Sequence, residues 1–289
     1  MEIFYLNDTK ELPKLEPSSC VIGNFDGLHL GHQALIKSAF KDDLKTMVIT
    51  FDGLIKNGKY LTKIDERIRL IGELKVDYLI VLNYPRMRLV FFNEFIKMLK
   101  KLKVKAITCG ADFRFGFKCE GDTFDLQKHF NLTIFDYYTY HDLKVSTGDI
   151  KELLADGYLD EANRLLNRNY QISGKVFNGN KIGRTLGYPT ANIDYESYFL
   201  PKNGVYVVKV LVHNEEYIGM ANIGINPTLN KQEKTRLEVH ILDFDQDIYD
   251  EEITVLFVKY LRGETRYSSK EALVTSLAET VKICRSYIK

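Results

Sequence analysis

The chain has 289 residues, 45% of them hydrophobic, with 40 basic and 39 acidic side chains for a formal net charge of +1. That length allows one large domain or two ordinary ones, each able to bury a core of its own. The near-balanced charge excludes recruitment of nucleic acid or an anionic membrane by a global field, so the expected partner is a small anion met by local groups. Cys20, Cys109, Cys119 and Cys284 lack Cys-x-x-Cys spacing, and no signal peptide or long apolar run is seen. This predicts reduced thiols in a cytoplasmic protein without a zinc site.

In chain order, Ile3-Phe4-Tyr5-Leu6 reads as a strand, and a polar segment with Pro13 and Pro17 leads to the strand Cys20-Val21-Ile22. Ala34, Leu35, Ile36 and Ala39 recur at helical spacing between Gln33 and Phe40, and Thr46 to Phe51 is an apolar run without alternation. A helix from Lys63 to Leu74, the strand Tyr78 to Leu82, a helix from Asn93 to Leu102 and the strand Ala106 to Cys109 continue the pattern. Alternating strands and helices predict a doubly wound parallel sheet, which binds ligands beyond the carboxyl ends of its strands. Lys151 to Asn167 reads as a helix interrupted near Gly157. Beyond Tyr170 come short Val-, Ile- and Tyr-rich strands with polar turns, over 172–177, 205–212, 216–222, 236–242 and 252–260, with no helix until about Ser269. That texture predicts a small antiparallel β-barrel closed by a C-terminal helix, with domains at 1–168 and 169–289.

Two stretches carry chemistry in the first half. After strand Cys20-Val21-Ile22, the run Gly23-Asn24-Phe25-Asp26-Gly27 leads into His29-Leu30-Gly31-His32 at a helix start. Unpaired backbone N–H groups and the positive end of the helix dipole make such a turn a phosphate site, and Gly31 lets the backbone approach closely. His29 and His32, if protonated, would donate to charge growing on an α-phosphoryl oxygen, the chemistry of a nucleotidyltransferase; a structural histidine pair is the alternative. At the second strand end, Asp112, Phe113, Arg114, Phe115 and Gly116 are followed by Gly121-Asp122. Aromatic faces beside an arginine suit a flavin ring and a phosphate, and a surface turn with a core phenylalanine suits the pattern equally.

The whole run from Gly23 to His32 resembles the adenylyltransferase half of bacterial bifunctional riboflavin kinase/FAD synthetases. The resemblance implies that Gly23, Asn24, Phe25, Asp26 and Gly31 meet ATP phosphates and that Asp112 to Gly116 form the flavin-side wall. Two family segments depart here. Phe51-Asp52-Gly53-Leu54-Ile55 lacks the family's Pro-His-Pro, and Ser146-Thr147-Gly148-Asp149-Ile150-Lys151 stands where the family has Ser-Ser-Thr-x-Ile-Arg. Ser146, Thr147 and Lys151 would still meet phosphate, but lysine lacks the bidentate fork of arginine. The departures predict an adenylyltransferase half that is slower, altered in preference or impaired.

In the second half, Gly179, Gly183 and Gly187 frame a loop that carries Lys181 and Arg184 and runs into Tyr188-Pro189-Thr190-Ala191-Asn192. Thr190 and Asn192 alternate on an extended stretch and so share a face. Their oxygens suit Mg²⁺ between nucleotide phosphates; a local cap or turn is the alternative. The run Gly183 to Ile193 resembles the riboflavin kinase signature. The likeness continues through Asn203-Gly204-Val205-Tyr206, Ala221 to Gly224 with Pro227-Thr228, Leu237 to Asp243, and Leu261-Arg262-Gly263-Glu264 with Tyr267-Ser268. By resemblance Glu238 is the general base for riboflavin phosphorylation, and Arg262, Glu264 and Tyr267 hold flavin. Without it, Glu238 reads as an outward strand residue and Arg262 as a strand-end charge.

The expectation is a two-domain, Mg²⁺-dependent enzyme of flavin biosynthesis, making FMN in the barrel and FAD in the sheet domain. Its partners would be ATP, riboflavin, FMN and FAD, with no nucleic acid or membrane; a homo-oligomer is allowed. The alternatives are a single-activity kinase whose sheet domain is impaired and a non-catalytic flavin-binding regulator.

Overall fold

A computed structural model describes residues 1–53, 59–140, 143–178, 182–225 and 235–287. The chain divides into two compact units, Met1–Thr147 and Gly148–Lys289.

The first unit contains β1 (Glu2–Leu6), β2 (Ser18–Ile22), α1 (Leu30–Lys37), β3 (Lys45–Asp52), α2 (Ile64–Glu73) and β4 (Tyr78–Asn83). It continues through α3 (Tyr84–Met87), α4 (Phe92–Lys101), β5 (Val104–Gly110), α5 (Thr123–Gln127), β6 (Asn131–Phe135) and a hairpin of β7 (Thr139–Tyr140) and β8 (Leu143–Lys144). Strands β1 to β6 form one sheet in the order β1-β4-β3-β2-β5-β6, and every pairing is parallel. All five residues of β2 are buried because helices cover both faces. Cys20 and Ile22 enter a core shared with Phe95 and Leu99 of α4, while Val21 enters the opposite core with Ile36 of α1 and Leu70 of α2. The strand order reverses between β2 and β5, so their carboxyl ends flank the crevice where such sheets bind ligands.

The expected doubly wound sheet is present. Helix α1 begins at Leu30, inside the expected helix start at His29–His32, and the His29 side chain caps it by accepting from the His32 N–H. Strand β6 was not expected; it is an edge strand with no fully buried residue and so carries no apolar run.

In the second unit, α6 (Thr147–Asp156) and α7 (Leu159–Leu166) are separated at Gly157, which has φ +87°. The barrel follows: β9 (Tyr170–Phe177), the single turn α8 (Ile182–Thr185), β10 (Ala191–Ile193), β11 (Gly204–Val212), β12 (Glu215–Ile225), β13 (Thr235–Ile241), β14 (Glu252–Arg262) and α9 (Lys270–Arg285). The six strands close in the order β10-β13-β12-β11-β14-β9, all antiparallel. Turn α8 breaks the expected absence of helix before Ser269; four residues are too few to show a period. Along β13, Leu237, Val239 and Ile241 are buried while Glu238 and His240 alternate to the other face. Helix α9 covers that outer face, packing Leu277, Val281 and Cys284 against Val207, Met220 and Leu242.

At Gly174 of β9, an added Cβ would overlap the Asp194 carbonyl oxygen. Gly174→Ala is therefore expected to destabilise the barrel by about 1–3 kcal/mol, seen as a lower midpoint for its thermal unfolding.

Candidate functional sites

The first candidate site lies where β2 and β5 end. Phe25 (φ 54°), Gly27 (φ 80°) and Leu28 (φ 36°) all have left-handed backbone, so the loop into α1 turns sharply. It is held from beneath. Asp26 is 5% exposed, and its Oδ1 accepts from Leu61 N–H (2.9 Å), Thr62 N–H (2.9 Å) and the Thr62 hydroxyl (3.2 Å). Phe25 is buried in the core with Val21 and Ile36. Both residues therefore shape the loop, where the sequence suggested phosphate contacts. Gly23 continues the sheet ladder by donating to Ile49 O at 3.1 Å.

The two imidazoles stack with ring centroids 3.6 Å apart. A Cβ at Gly31 would lie 3.2 Å from the His29 ring and 3.3 Å from Tyr138 Cβ, so glycine is what lets the ring lie over the helix start. His29 Nδ1 accepts from the His32 N–H, which leaves the proton of a neutral ring on Nε2. Burial, then the nearby His29 and Arg67, push the His32 pKa well below its ordinary value. Of the two histidines read as donors if protonated, His32 is therefore held toward its neutral form, since a second charge in stacked, dehydrated rings would be repelled.

A residue absent from the sequence-based set sits beneath this loop. Arg67 of α2 is 1% exposed. It donates to Asn24 O (2.7 Å), Asn24 Oδ1 (3.0 Å), Phe51 O (3.0 Å), Thr50 Oγ1 (3.3 Å) and Thr62 O (3.4 Å). Its position in the sequence was a signal, since Ile64, Arg67, Ile68 and Ile71 share one helical face.

At the end of β5, Phe115 is 6% exposed, lies against Phe95 and Phe113, and pairs its backbone with Gly121. It belongs to the core, and the half-buried Gly116 (φ +81°) next to it sets the turn, since an added Cβ would lie 2.9 Å from Phe92 N. Asp112 and Arg114 are exposed and Phe113 is half-buried; Arg114 pairs with Asp122 at 3.2 Å. Ser146 is half-buried, and the Thr147 hydroxyl donates to Asp26 O at 3.0 Å. Lys151 lies in the second unit with its ammonium 5.9 Å from the Phe199 ring centroid. Leu54 and Ile55 lie outside the described residues.

The second site is a cavity of about 360 Å³ against the outer wall of the barrel, lined by β10, β12, β13, α9 and the segments 183–190 and 262–267. Period-2 alternation along β13 sends Leu237 and Val239 to the buried face and Glu238 to the opposite one, which borders this cavity. Register places Asn192, Glu238 and Asn222 side by side on three adjacent strands. Burial raises the pKa of Glu238, opposed in part by Arg236. Asn192 is 3% exposed, and its Oδ1 has no hydrogen-bond partner among the described residues.

Thr190 is positioned from two sides. The His240 ring Nδ1 is 2.7 Å from Pro189 O, and an added Cβ at Gly183 would overlap Tyr188 O while touching the Thr190 side chain. Gly187 takes φ +83° in the same loop. Across the cavity, Ser276 of α9 accepts from Arg262 Nη2 (3.0 Å) and is 2.9 Å from the Tyr267 hydroxyl. The Glu264 carboxylate lies over Gly224, in the space that a Cβ there would occupy. Asn222, His240 and Ser276 had no assigned role in the sequence; their signal is cross-strand register and, for Ser276, a polar residue between Leu273 and Leu277. Gly179 and Lys181, the Arg184 side chain, and Pro227 and Thr228 lie outside the described residues.

Known proteins resemble this chain in both units. A family model described as FAD synthetase matches residues 12–151, and one described as riboflavin kinase matches 166–288. The bifunctional riboflavin kinase/FMN adenylyltransferase of Listeria monocytogenes is 36% identical over 92% of this chain and 91% of its own. That of Escherichia coli K12 is 35% identical over 96% and 95%. A crystal structure described as a macrolide-efflux protein from Streptococcus pneumoniae matches with TM-score 0.87 and 31% identity over 99% of each chain. Among the described residues no helix is long and apolar enough to cross a membrane. With both family domains in place and relatives alike over nearly its whole length, the chain belongs to the bifunctional riboflavin kinase/FMN adenylyltransferase family, the enzymes of flavin cofactor biosynthesis.

Proposed function

We propose that Glu238 is the general base of riboflavin phosphorylation. Its carboxylate takes the proton of the ribityl 5′-hydroxyl as that oxygen bonds to the γ-phosphorus of ATP and the bond to the β-phosphate oxygen breaks, releasing ADP. The observation that carries this reading is a half-buried carboxylate of raised pKa between Asn192 and Asn222 in an apolar-lined hollow of about 360 Å³ in the barrel wall. Tyr267, Leu273 and Leu277 line the same hollow and suit a flavin ring, with Arg262 and Glu264 at its edge. A smaller cavity of about 120 Å³, lined by Val176, Val239, Ile241 and Phe244, shares Thr190 with it. The nucleoside end of ATP is assigned there, so that both substrates meet at Thr190.

Thr190 and Asn192 are the residues assigned to Mg²⁺. The hydroxyl and the amide are hard oxygen donors, and the orphaned, buried Asn192 Oδ1 is the kind of atom such an ion satisfies. When bound, the ion supplies neutralisation of phosphate charge.

In the sheet domain, the α1 N-terminus with His29 and a neutral His32 is assigned to the α-phosphate of ATP. A phosphate oxygen of FMN bonds to that phosphorus as pyrophosphate leaves, and the imidazoles donate to the charge that develops. Phe113, Arg114 and Asp112 are assigned to the flavin side; Ser146, Thr147 and Lys151 remain assigned to phosphate. Residues 1–168 and 169–289 are taken as the two functional halves, since the family matches end at 151 and resume at 166. Four free cysteines support a cytoplasmic setting, and balanced charge supports small-molecule partners only.

Glu238→Gln is expected to lower FMN formation by about 10²-fold or more while FAD formation from supplied FMN is unchanged. Because a base must be ionised and burial raises this one, wild-type FMN formation should fall on acidification above the ordinary glutamate pKa of about 4.3. A pH–rate profile measures it. Asn192→Ala should raise the Mg²⁺ concentration that half-saturates FMN formation. His32→Ala should lower FAD formation and spare FMN formation. By ¹⁵N NMR the His32 ring should remain neutral at about pH 6, where an ordinary histidine of pKa about 6.5 is mostly charged.

A further inference from the structure

Arg67 is the most completely enclosed charge in the sheet domain, and nothing in the proposed chemistry touches it. A guanidinium at 1% exposure is expensive to dehydrate, and Arg67 is not even fully satisfied, since its Nε has no hydrogen-bond partner among the described residues. As a stabilising device it is poor. What it does is join three segments that lie far apart in sequence: Asn24 in the β2–α1 loop, Phe51 at the end of β3, and Thr62 at the entrance to α2. Both oxygens of Asn24 are taken by one nitrogen, Nη1.

We infer that Arg67 is a positioning residue for adenylyl transfer, clamping the phosphate loop through Asn24 so that the α1 N-terminus and the two histidines face the reacting phosphate in one arrangement. This rests on the adenylyltransferase reading of the domain. The clamp orients more than a side chain. With Asn24 C=O turned to the guanidinium, the trans peptide directs the Phe25 N–H the opposite way, and the Thr50 hydroxyl donates to the same carbonyl at 3.0 Å. A second consequence is electrostatic. Arg67 lies close enough to His32 to be among the causes of its low proton affinity, so a permanently charged residue helps keep the imidazole neutral. The charge itself is supported by Asp26, Asp52 and Glu66, and the Tyr60 ring lies 5.8 Å from its carbon centre.

The test uses the full-length protein, with FMN formation in the barrel as the internal control. Arg67→Met is expected to lower kcat for FAD formation by about 10²-fold, the loss typical of a misplaced reacting group, while the KM for FMN changes less than about threefold. FMN formation stays at the wild-type rate. Since R67M removes the guanidinium from the Asn24, Phe51 and Thr62 carbonyls and can unfold the sheet domain, Arg67→Lys is measured beside it together with thermal unfolding. R67K keeps the charge but cannot reach Asn24 and Thr62 at once. It is expected to unfold like wild type, with FAD formation intermediate between wild type and R67M. Folded R67K with wild-type kcat, or R67M whose loss lies wholly in KM, overturns the role of Arg67. A wild-type protein that forms FMN but never FAD would instead overturn the reading of the domain, and this role with it.

Discussion

Strand register in the closed barrel decides where its chemistry can occur. Asn192, Glu238 and Asn222 come from three strands and meet only because β10, β13 and β12 pair in one alignment. A slip of one residue would turn Glu238 toward the interior and bring Val239 to the surface. Closure removes the freedom to slip, since β10 is also tied to β9 and no edge is left to adjust. The carboxylate is therefore held half-buried, and its raised proton affinity follows from that placement rather than from an adjacent charge.

Helix α9 completes the site by covering what would otherwise be an exposed wall. Its apolar residues pack on Val207, Met220 and Leu242, and Ser276 in the same face reaches both Arg262 and Tyr267. One helix thereby supplies burial for the cavity and aim for two polar side chains. The single hydroxyl is buried at little cost because it has two partners.

In the sheet domain the same economy is reached by different means. The ends of parallel strands cannot be closed into a ring, so the loops beyond them must be held by side chains. Asp26 ties the β2–α1 loop to the segment at Leu61 and Thr62, and Arg67 ties it to β3. Opposite charges buried on the two sides of one loop offset part of each other's desolvation. The two histidine rings stack above this loop, and burial holds His32 toward its neutral form. Both domains so place polar groups where water is scarce, and preorganised dipoles act most strongly there.

The sequence by itself determined the elements and their alternation. An apolar run without alternation marked β3, short Val-, Ile- and Tyr-rich segments between polar turns marked the barrel strands, and the turn at His29 was legible because glycine and histidine stand at a strand end. It also determined which residues carry the family motifs, and Glu238, Thr190 and Asn192 were among them. Tertiary structure alone decided which of the named residues line a cavity or surface and which lie in the core. Phe25 and Phe115 look like binding aromatics in sequence but fill the core, and Asp26 looks like a ligand but braces a loop. Arg67, Asn222 and Ser276 were legible as polar positions but not as site residues, since the pattern along one element does not name the partners that each meets. Local pattern reports which face of an element is apolar; it does not report what stands opposite that face, and burial, proton affinity and hydrogen-bond partners all depend on the latter.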